Sequence, residues 1–211
     1  MSNYSDWTTR FRSFLSEQEE GDPAHDRQHI ERVVSNTRLL AEVEGLALDI
    51  LLPAAYLHDC VHIAKDSPRR SQASRITADH AVAFLREQDY PAEHLESIHH
   101  AIEAHSFSAK ITPRTIEAKV LQDADRIDAL GAVGLSRCLM LGGHMGSQLF
   151  NPEDPFCENR EPNDAAFCVD HFYAKLLGLK DTMQTEAGKE LASKRTKFLT
   201  EFLDQLRKEI A

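Results

Sequence analysis

No apolar run in this chain approaches the roughly 18 to 20 residues that a membrane-crossing helix needs, so a membrane-embedded protein is not expected. Nothing resembles a signal peptide either: the N-terminus opens polar around Tyr4, Asp6 and Trp7, and a soluble, cytoplasmic protein is expected. Cysteine is scarce. Cys60, Cys138, Cys157 and Cys168 make no CxxC pair and no zinc-knuckle spacing, which argues against a disulfide framework and a cysteine-ligated zinc. Positive charge is in deficit, 24 Lys and Arg against 34 Asp and Glu, and a formal charge of −10 disfavours broad affinity for nucleic acid or an anionic membrane. A small ligand is the expected partner. If it bears phosphate, local positive charge must come from a bound cation and a few arginines. Strand-like alternation, internal repeats, low-complexity tracts and interdomain linkers are also missing, so the expectation is one all-α domain over residues 1–211.

What the chain has is helical periodicity. Trp7, Phe11, Phe14 and Leu15 recur at helical spacing over residues 4–20, an ordinary core stripe that Gly21 ends. Asp22-Pro23 has the form of a cap followed by proline at the first helical position, opening a helix over 22–44 before Gly45. Residues 48–60 carry Ile50, Leu51, Ala54, Ala55 and Leu57 in a nearly unbroken apolar run, the mark of a buried helix. After a charged loop at 61–70, helices are predicted over 71–89, 91–106, 112–131, 132–142, 165–179 and 185–209. Residues 142–162 hold Gly142, Gly143, Gly146, Pro152, Pro155 and Pro162, which excludes a continuous helix; a candidate lid loop is placed at about 142–164. Within it, Gly142-Gly143-His144 lacks the spacing of a phosphate loop and reads as a flexible turn.

The chemistry-bearing residues sit against this apolar background. A hard or borderline cation takes imidazole nitrogen and carboxylate oxygen, and such groups stand at His29, at His58-Asp59 and at Asp125. His58-Asp59 directly follows the apolar run Pro53-Ala54-Ala55-Tyr56-Leu57, where an unpaired buried charge is costly. Either a metal or an Asp-His hydrogen bond at the helix end removes that cost. Asp125 lies at the edge of the stripe formed by Leu121, Ala124 and Ile127. Its neighbours Asp123 and Asp128 are expected in solvent or in support of the liganding carboxylate, Asp128 being the better candidate because it is one turn away. Arg126 can balance these carboxylates or contact a phosphate. His25, one turn before His29, is either an acid-base group beside the metal or a surface or capping residue.

Taken in order, a histidine, an adjacent His-Asp pair and a distant aspartate, all on helices, resemble the HD superfamily of metal-dependent phosphohydrolases. The stretches His25-Asp26-Arg27-Gln28-His29-Ile30-Glu31-Arg32-Val33, Tyr56-Leu57-His58-Asp59, His105-Ser106 and Ala124 to Gly134 are similar to a small bacterial branch of that superfamily. So are Phe172 to Leu176, Met183 to Glu186 and Arg195, and the likeness covers most of the chain.

The resemblance implies an HD-domain helical bundle with His29, His58, Asp59 and Asp125 as metal ligands. It implies a single divalent ion, Mn²⁺ by preference with Mg²⁺, Co²⁺, Ni²⁺ or Fe²⁺ as alternatives, and hydrolysis by a metal-activated water. His25, His105 and Asp128 are the acid-base candidates, and His105 gains its place from the family's His-Ser pair. The fuller His-His motif of the cyclic-dinucleotide branch lacks its glycine here, so His99 and His100 are read as a surface-core pair. Candidate phosphate contacts are Arg32, Lys65, Arg69, Arg70, Arg126 and Lys175, of which only two or three are needed; Arg70, Arg126 and Lys175 are put forward. The implied substrate is a nucleotide, with (deoxy)nucleoside triphosphate cleaved to monophosphate and pyrophosphate. The alternatives are a nucleoside monophosphate phosphatase and a catalytically silent ligand-binding module, the latter disfavoured by the intact ligand set.

Overall fold

The computed structural model describes residues 4–18, 27–63, 67–106 and 109–210, and among them it contains helices and no β-strand. It divides into two compact units, Met1–Asp125 and Arg126–Ala211. No helix among the described residues is long and apolar enough to cross a membrane.

The first unit is built from α1 (Tyr4–Glu17), α2 (Arg27–Glu44), α3 (Leu48–Leu57), α4 (Ala73–Glu87), α5 (Ala92–His105) and most of α6 (Ile116–Asp128). Its centre is α3, whose residues Leu51 through Leu57 are all buried, as the apolar run predicts, and which packs against α1, α2, α4 and α5. Phe11 of α1 is fully buried beside the rings of Trp7, Tyr56 and Phe84. Pro53 lies inside α3 and cannot donate to the carbonyl of Asp49 four residues back. Tyr90 repairs that gap: its hydroxyl donates to the Asp49 carbonyl at 2.5 Å, and burial beside Asp49 pushes its pKa up. The proposed cap at Asp22-Pro23 lies outside the described residues. At the other end, α6 begins at Ile116 rather than 112, because Pro113 disfavours helix at the residue before it and Thr115 caps instead, its Oγ1 accepting from the Ala118 N–H at 3.2 Å.

The second unit holds α7 (Gly131–Met145), α8 (Cys168–Ala174), a 3-10 turn over Leu176–Thr182 and α9 (Glu186–Ile210), with α9 packed against α7 and the 3-10 turn. Here the structure corrects two boundaries. The helix predicted to end at 142 continues through Gly142 and Gly143, so Gly142-Gly143-His144 is helical and not a turn. Gly142 is needed for close packing, since a Cβ there would collide with Cys168 Sγ; the stop comes at Gly146, left-handed at φ 76°. The helix predicted over 165–179 is instead short α8 followed by the 3-10 turn.

The loop proposed as a lid is pinned within its own unit. Arg160 donates to both carboxylate oxygens of Asp170, at 2.5 and 2.8 Å, and the Asn163 N–H adds a third bond at 2.7 Å. Burial alone would raise the Asp170 pKa, but these bonds outweigh it and hold the carboxyl below its ordinary value. A depressed folded pKa contributes stability that is present above the unfolded value, about 3.9, and is lost as pH falls through the folded value. The melting temperatures of wild type and Asp170→Asn are therefore expected to differ at neutral pH and to converge in the acid range below about pH 4.

Candidate metal centre

Four helices of the first unit bring ionisable side chains to one point. His29 comes from the first turn of α2, and His58 caps the C-terminus of α3 with Asp59 following it. His105 ends α5 and Asp125 lies in α6. His58 is fully buried and His29 is 2% exposed, while the side chains of Asp59 and Asp125 are 29% and 26% exposed, so the carboxylates form the open side.

The Nε2 atoms of His29 and His58 stand 3.4 Å apart. His29 Nε2 is also 3.4 Å from Asp125 Oδ1 and 3.8 Å from Asp59 Oδ2, and His58 Nε2 is 3.7 Å from the same Asp59 oxygen. His105 Nε2 reaches Asp59 Oδ1 at 3.7 Å. Backbone bonds decide which nitrogen is available: His58 Nδ1 donates to the Ala55 carbonyl at 2.8 Å and His105 Nδ1 to the Ile102 carbonyl at 2.5 Å. A carbonyl only accepts, so both Nδ1 atoms carry hydrogen; in neutral His58 this leaves the Nε2 lone pair pointing into the cluster, whereas His105 Nε2 faces a carboxylate that can accept a proton from it.

The electrostatics divide the histidines. Burial drives the His58 pKa down despite nearby Asp59 and Asp125, keeping it a neutral donor of electrons. For His105 burial also lowers the pKa, but the hydrogen bond and charge of Asp59 overcome it and the net direction is up. Burial would raise Asp125, yet the hydrogen bond and charge of His29 prevail and hold it far below the ordinary carboxylate range.

Two side-chain amides tie the helices in register. Asn36, two turns beyond His29 on α2, donates to the Ala124 carbonyl at 3.1 Å; Gln122, one turn before Asp125, donates to the Ala104 carbonyl at 2.7 Å. Both bonds are buried, and each ends on the peptide immediately before a site residue, Asp125 or His105. Sequence reasoning misses both amides, although their helical spacing from His29 and Asp125 is visible there. Asn36→Leu and Gln122→Leu are each expected to weaken divalent-ion binding about 10- to 100-fold, read by calorimetric titration, while circular dichroism stays helical.

Residues 27–130 match the HD domain family, and His29, His58, Asp59, His105 and Asp125 all fall within them. Over 206 residues the chain is 34% identical to YpgQ of Bacillus subtilis strain 168, spanning 96% of this chain and 91% of that protein. The chain belongs to the HD family. Among solved structures, Bacillus subtilis YpgQ in complex with ADP superimposes with a TM-score of 0.73 at 31% identity, covering 96% of this chain and 97% of that one. An HD-superfamily hydrolase from Bacillus thuringiensis gives a TM-score of 0.73 at 31% identity, covering 97% and 95%. The all-α architecture expected from the sequence is thus the HD fold, and the fold is that of metal-dependent phosphohydrolases in general.

The cluster suits a divalent ion. Bonds of about 2.1 Å place neighbouring donor atoms about 3 Å apart at right angles and about 4.2 Å apart when opposite. The separations of 3.4 to 3.8 Å lie between those limits. Among the described residues, two overlapping groups have mutually close donor atoms: His29, His58 and Asp125, and His58, Asp59 and His105.

The remaining sequence candidates are more dispersed. His25 and Lys65 lie outside the described residues. Arg70 is exposed at the start of the 3-10 turn Arg70–Gln72, its Nη1 donating to the Ile63 carbonyl at 2.8 Å. Arg69 is exposed beside it, and Arg32 is half-buried on α2. Arg126, Asp128 and Lys175 belong to the second unit. There Arg126 Nη1 donates to the Thr182 carbonyl at 2.8 Å, and Lys175 is exposed after α8. Asp123 and Asp128 are both fully buried, so neither is solvated; Arg137 holds Asp128 at 2.6 Å. His99, bound to Asp79, and buried His100, accepting from the Arg114 N–H at 2.9 Å, form the expected surface-core pair.

Proposed function

We propose that this HD chain is a divalent-cation-dependent nucleotide phosphohydrolase that converts (deoxy)nucleoside triphosphate to monophosphate and pyrophosphate. The observation that carries the reading is the convergence of two imidazole lone pairs and two carboxylates, with His29 Nε2 at 3.4 Å from both His58 Nε2 and Asp125 Oδ1. His29, His58, Asp59 and Asp125 would hold the cation. Two nitrogens and two carboxylates favour Mn²⁺, with Mg²⁺, Co²⁺, Ni²⁺ or Fe²⁺ as alternatives, whereas a closed structural zinc site favours cysteine. When bound, such a cation acidifies water and neutralises charge that builds on phosphoryl oxygens.

The chain's own residues supply the rest. The backbone bond to Ile102 fixes the His105 ring, and Asp59 faces its Nε2, so His105 can hold a proton at Nε2 and pass it to a leaving oxygen. Arg70, Arg126 and Lys175 are proposed to bind the substrate, and His25 and Asp128 remain proposed participants in proton handling. A nucleotide is favoured because the related YpgQ was solved with ADP. Product analysis tests the reading: nucleoside triphosphates should yield pyrophosphate and monophosphate. Orthophosphate from monophosphates with no pyrophosphate from triphosphates would make the chain a phosphomonoesterase instead, and no product from any nucleotide would overturn the activity.

A further inference from the structure

Of the charged residue types Lys, Arg, Asp and Glu, α7 carries a single one, Arg137, and its guanidinium is tied to the Asp128 carboxylate at 2.6 Å. Ala132, Ser136, Met140 and Gly143 follow one another at steps of four, four and three residues, the spacing that lines up one face of a helix. All four are exposed, as is Val133 beside them. Met140 is 68% exposed, the most open of the large apolar side chains among the described residues. The polar member of the face, Ser136, turns its hydroxyl onto the Ala132 carbonyl of the same helix at 2.8 Å. A surface helix ordinarily sets polar and charged side chains toward water, and this one sets a methionine, a valine and bare backbone there.

Gly143 points to what covers that face. Glycine is among the poorest helix formers, and one inside a helix calls for a packing reason. At Gly142 the reason lies within the chain, because Cys168 Sγ fills the place of a Cβ; at Gly143 a Cβ would meet nothing within 4 Å among the described residues. Bare backbone at the surface suits close approach by something outside the chain. We infer that this is a second copy of the same helix, so that the protein pairs through α7 about a twofold axis. Charge favours a copy at this face over any other: two chains of formal charge −10 repel, and here they meet without setting like charges together. Shape favours it too. Met140 projects one turn before the recess at Gly143, and an antiparallel partner reverses that order, so each Met140 lies over the partner's Gly143. One helix thus supplies both knob and recess, as a self-complementary interface requires. None of the residues assigned to the cation or the substrate takes part, so the pairing stands or falls apart from the proposed activity.

Sedimentation equilibrium of the full-length protein, from low micromolar to several hundred micromolar, tests the inference. Two crossing helices about 22 Å long cover less than the roughly 800 Å² per partner of a standard interface, so a dimer that dissociates on dilution is expected. Met140→Glu should weaken association at least about tenfold by bringing two carboxylates to the axis, and Gly143→Leu should do the same by filling the recess. Gly143→Ala separates pairing from folding: alanine favours the helix, so the melting temperature measured at dilution should hold or rise while association falls. A wild-type chain that stays monomeric throughout the range would overturn the inference. So would a dimer that keeps its wild-type affinity in both Met140→Glu and Gly143→Leu, since it would be built on another surface.

Discussion

Asp59→Ala is expected to abolish hydrolysis and divalent-ion binding together while leaving the helical content unchanged. Asp59 lies just beyond α3, its side chain is 29% exposed, and its oxygens stand 3.7 to 3.8 Å from the Nε2 atoms of His29, His58 and His105. Alanine there removes a carboxylate from the open side of the cluster and takes little packing from the core. Losing a residue that only supports a metal ligand typically costs 10- to 100-fold, so losing a ligand that also faces His105 should cost at least about a thousandfold in kcat/KM. Calorimetric titration and steady-state kinetics on the same preparation check it. A variant that keeps both its ion and more than about a tenth of its rate would remove Asp59 from the ligand set.

A second large effect is expected on stability. Arg137→Met withdraws the guanidinium that binds Asp128 at 2.6 Å, where the Asp128 side chain is 1% exposed. Stripping one partner from a buried ion pair costs about 3–5 kcal/mol, because the remaining charge has been taken out of water. For a protein of this size that is a fall of about 10 °C or more in melting temperature. Asp128→Asn in the Arg137→Met background should recover part of the loss, since it removes a buried charge that has lost its 2.6 Å partner and keeps only its other contacts, the charge of Arg195 among them. The same cycle separates two roles for Asp128. Stability losses that couple with Arg137 and leave kcat intact below the melting temperature identify a structural residue, whereas a fall in kcat at unchanged stability would identify a proton-handling one.

Much of the site is legible in the sequence because its chemistry opposes its surroundings. A histidine and an aspartate placed immediately after the apolar run that ends at Leu57 signal a compensated charge, and Leu51 to Leu57 are indeed all buried. His105 is legible mainly through its family resemblance, and the structure places its Nε2 beside Asp59. Asn36 and Gln122 are not legible because an amide has no pattern of its own; its role depends on which carbonyl lies opposite, here Ala124 and Ala104, 88 and 18 residues away in sequence.

The fold shows the same division. The apolar stripe of α1 and the burial of α3 follow from periodicity, since side chains three and four apart share a face. The path of α7 does not: glycines at 142 and 143 look like a break, yet the helix runs on to Met145, and the approach of Cys168 Sγ shows that Gly142 serves close packing. Asp123 and Asp128 defy the ordinary preference of carboxylates for solvent, and in Asp128 the reason is Arg137, nine residues on.

The central claim, that hydrolysis depends on a divalent ion held by His29, His58, Asp59 and Asp125, is tested most directly by adding Mn²⁺ back to chelator-stripped protein while following nucleoside triphosphate turnover. Activity should be absent after stripping and should rise with added Mn²⁺ in proportion to the ion bound, with pyrophosphate as product. Full turnover in the stripped protein, or saturation of the site by Mn²⁺ with no turnover of any nucleotide, would contradict it.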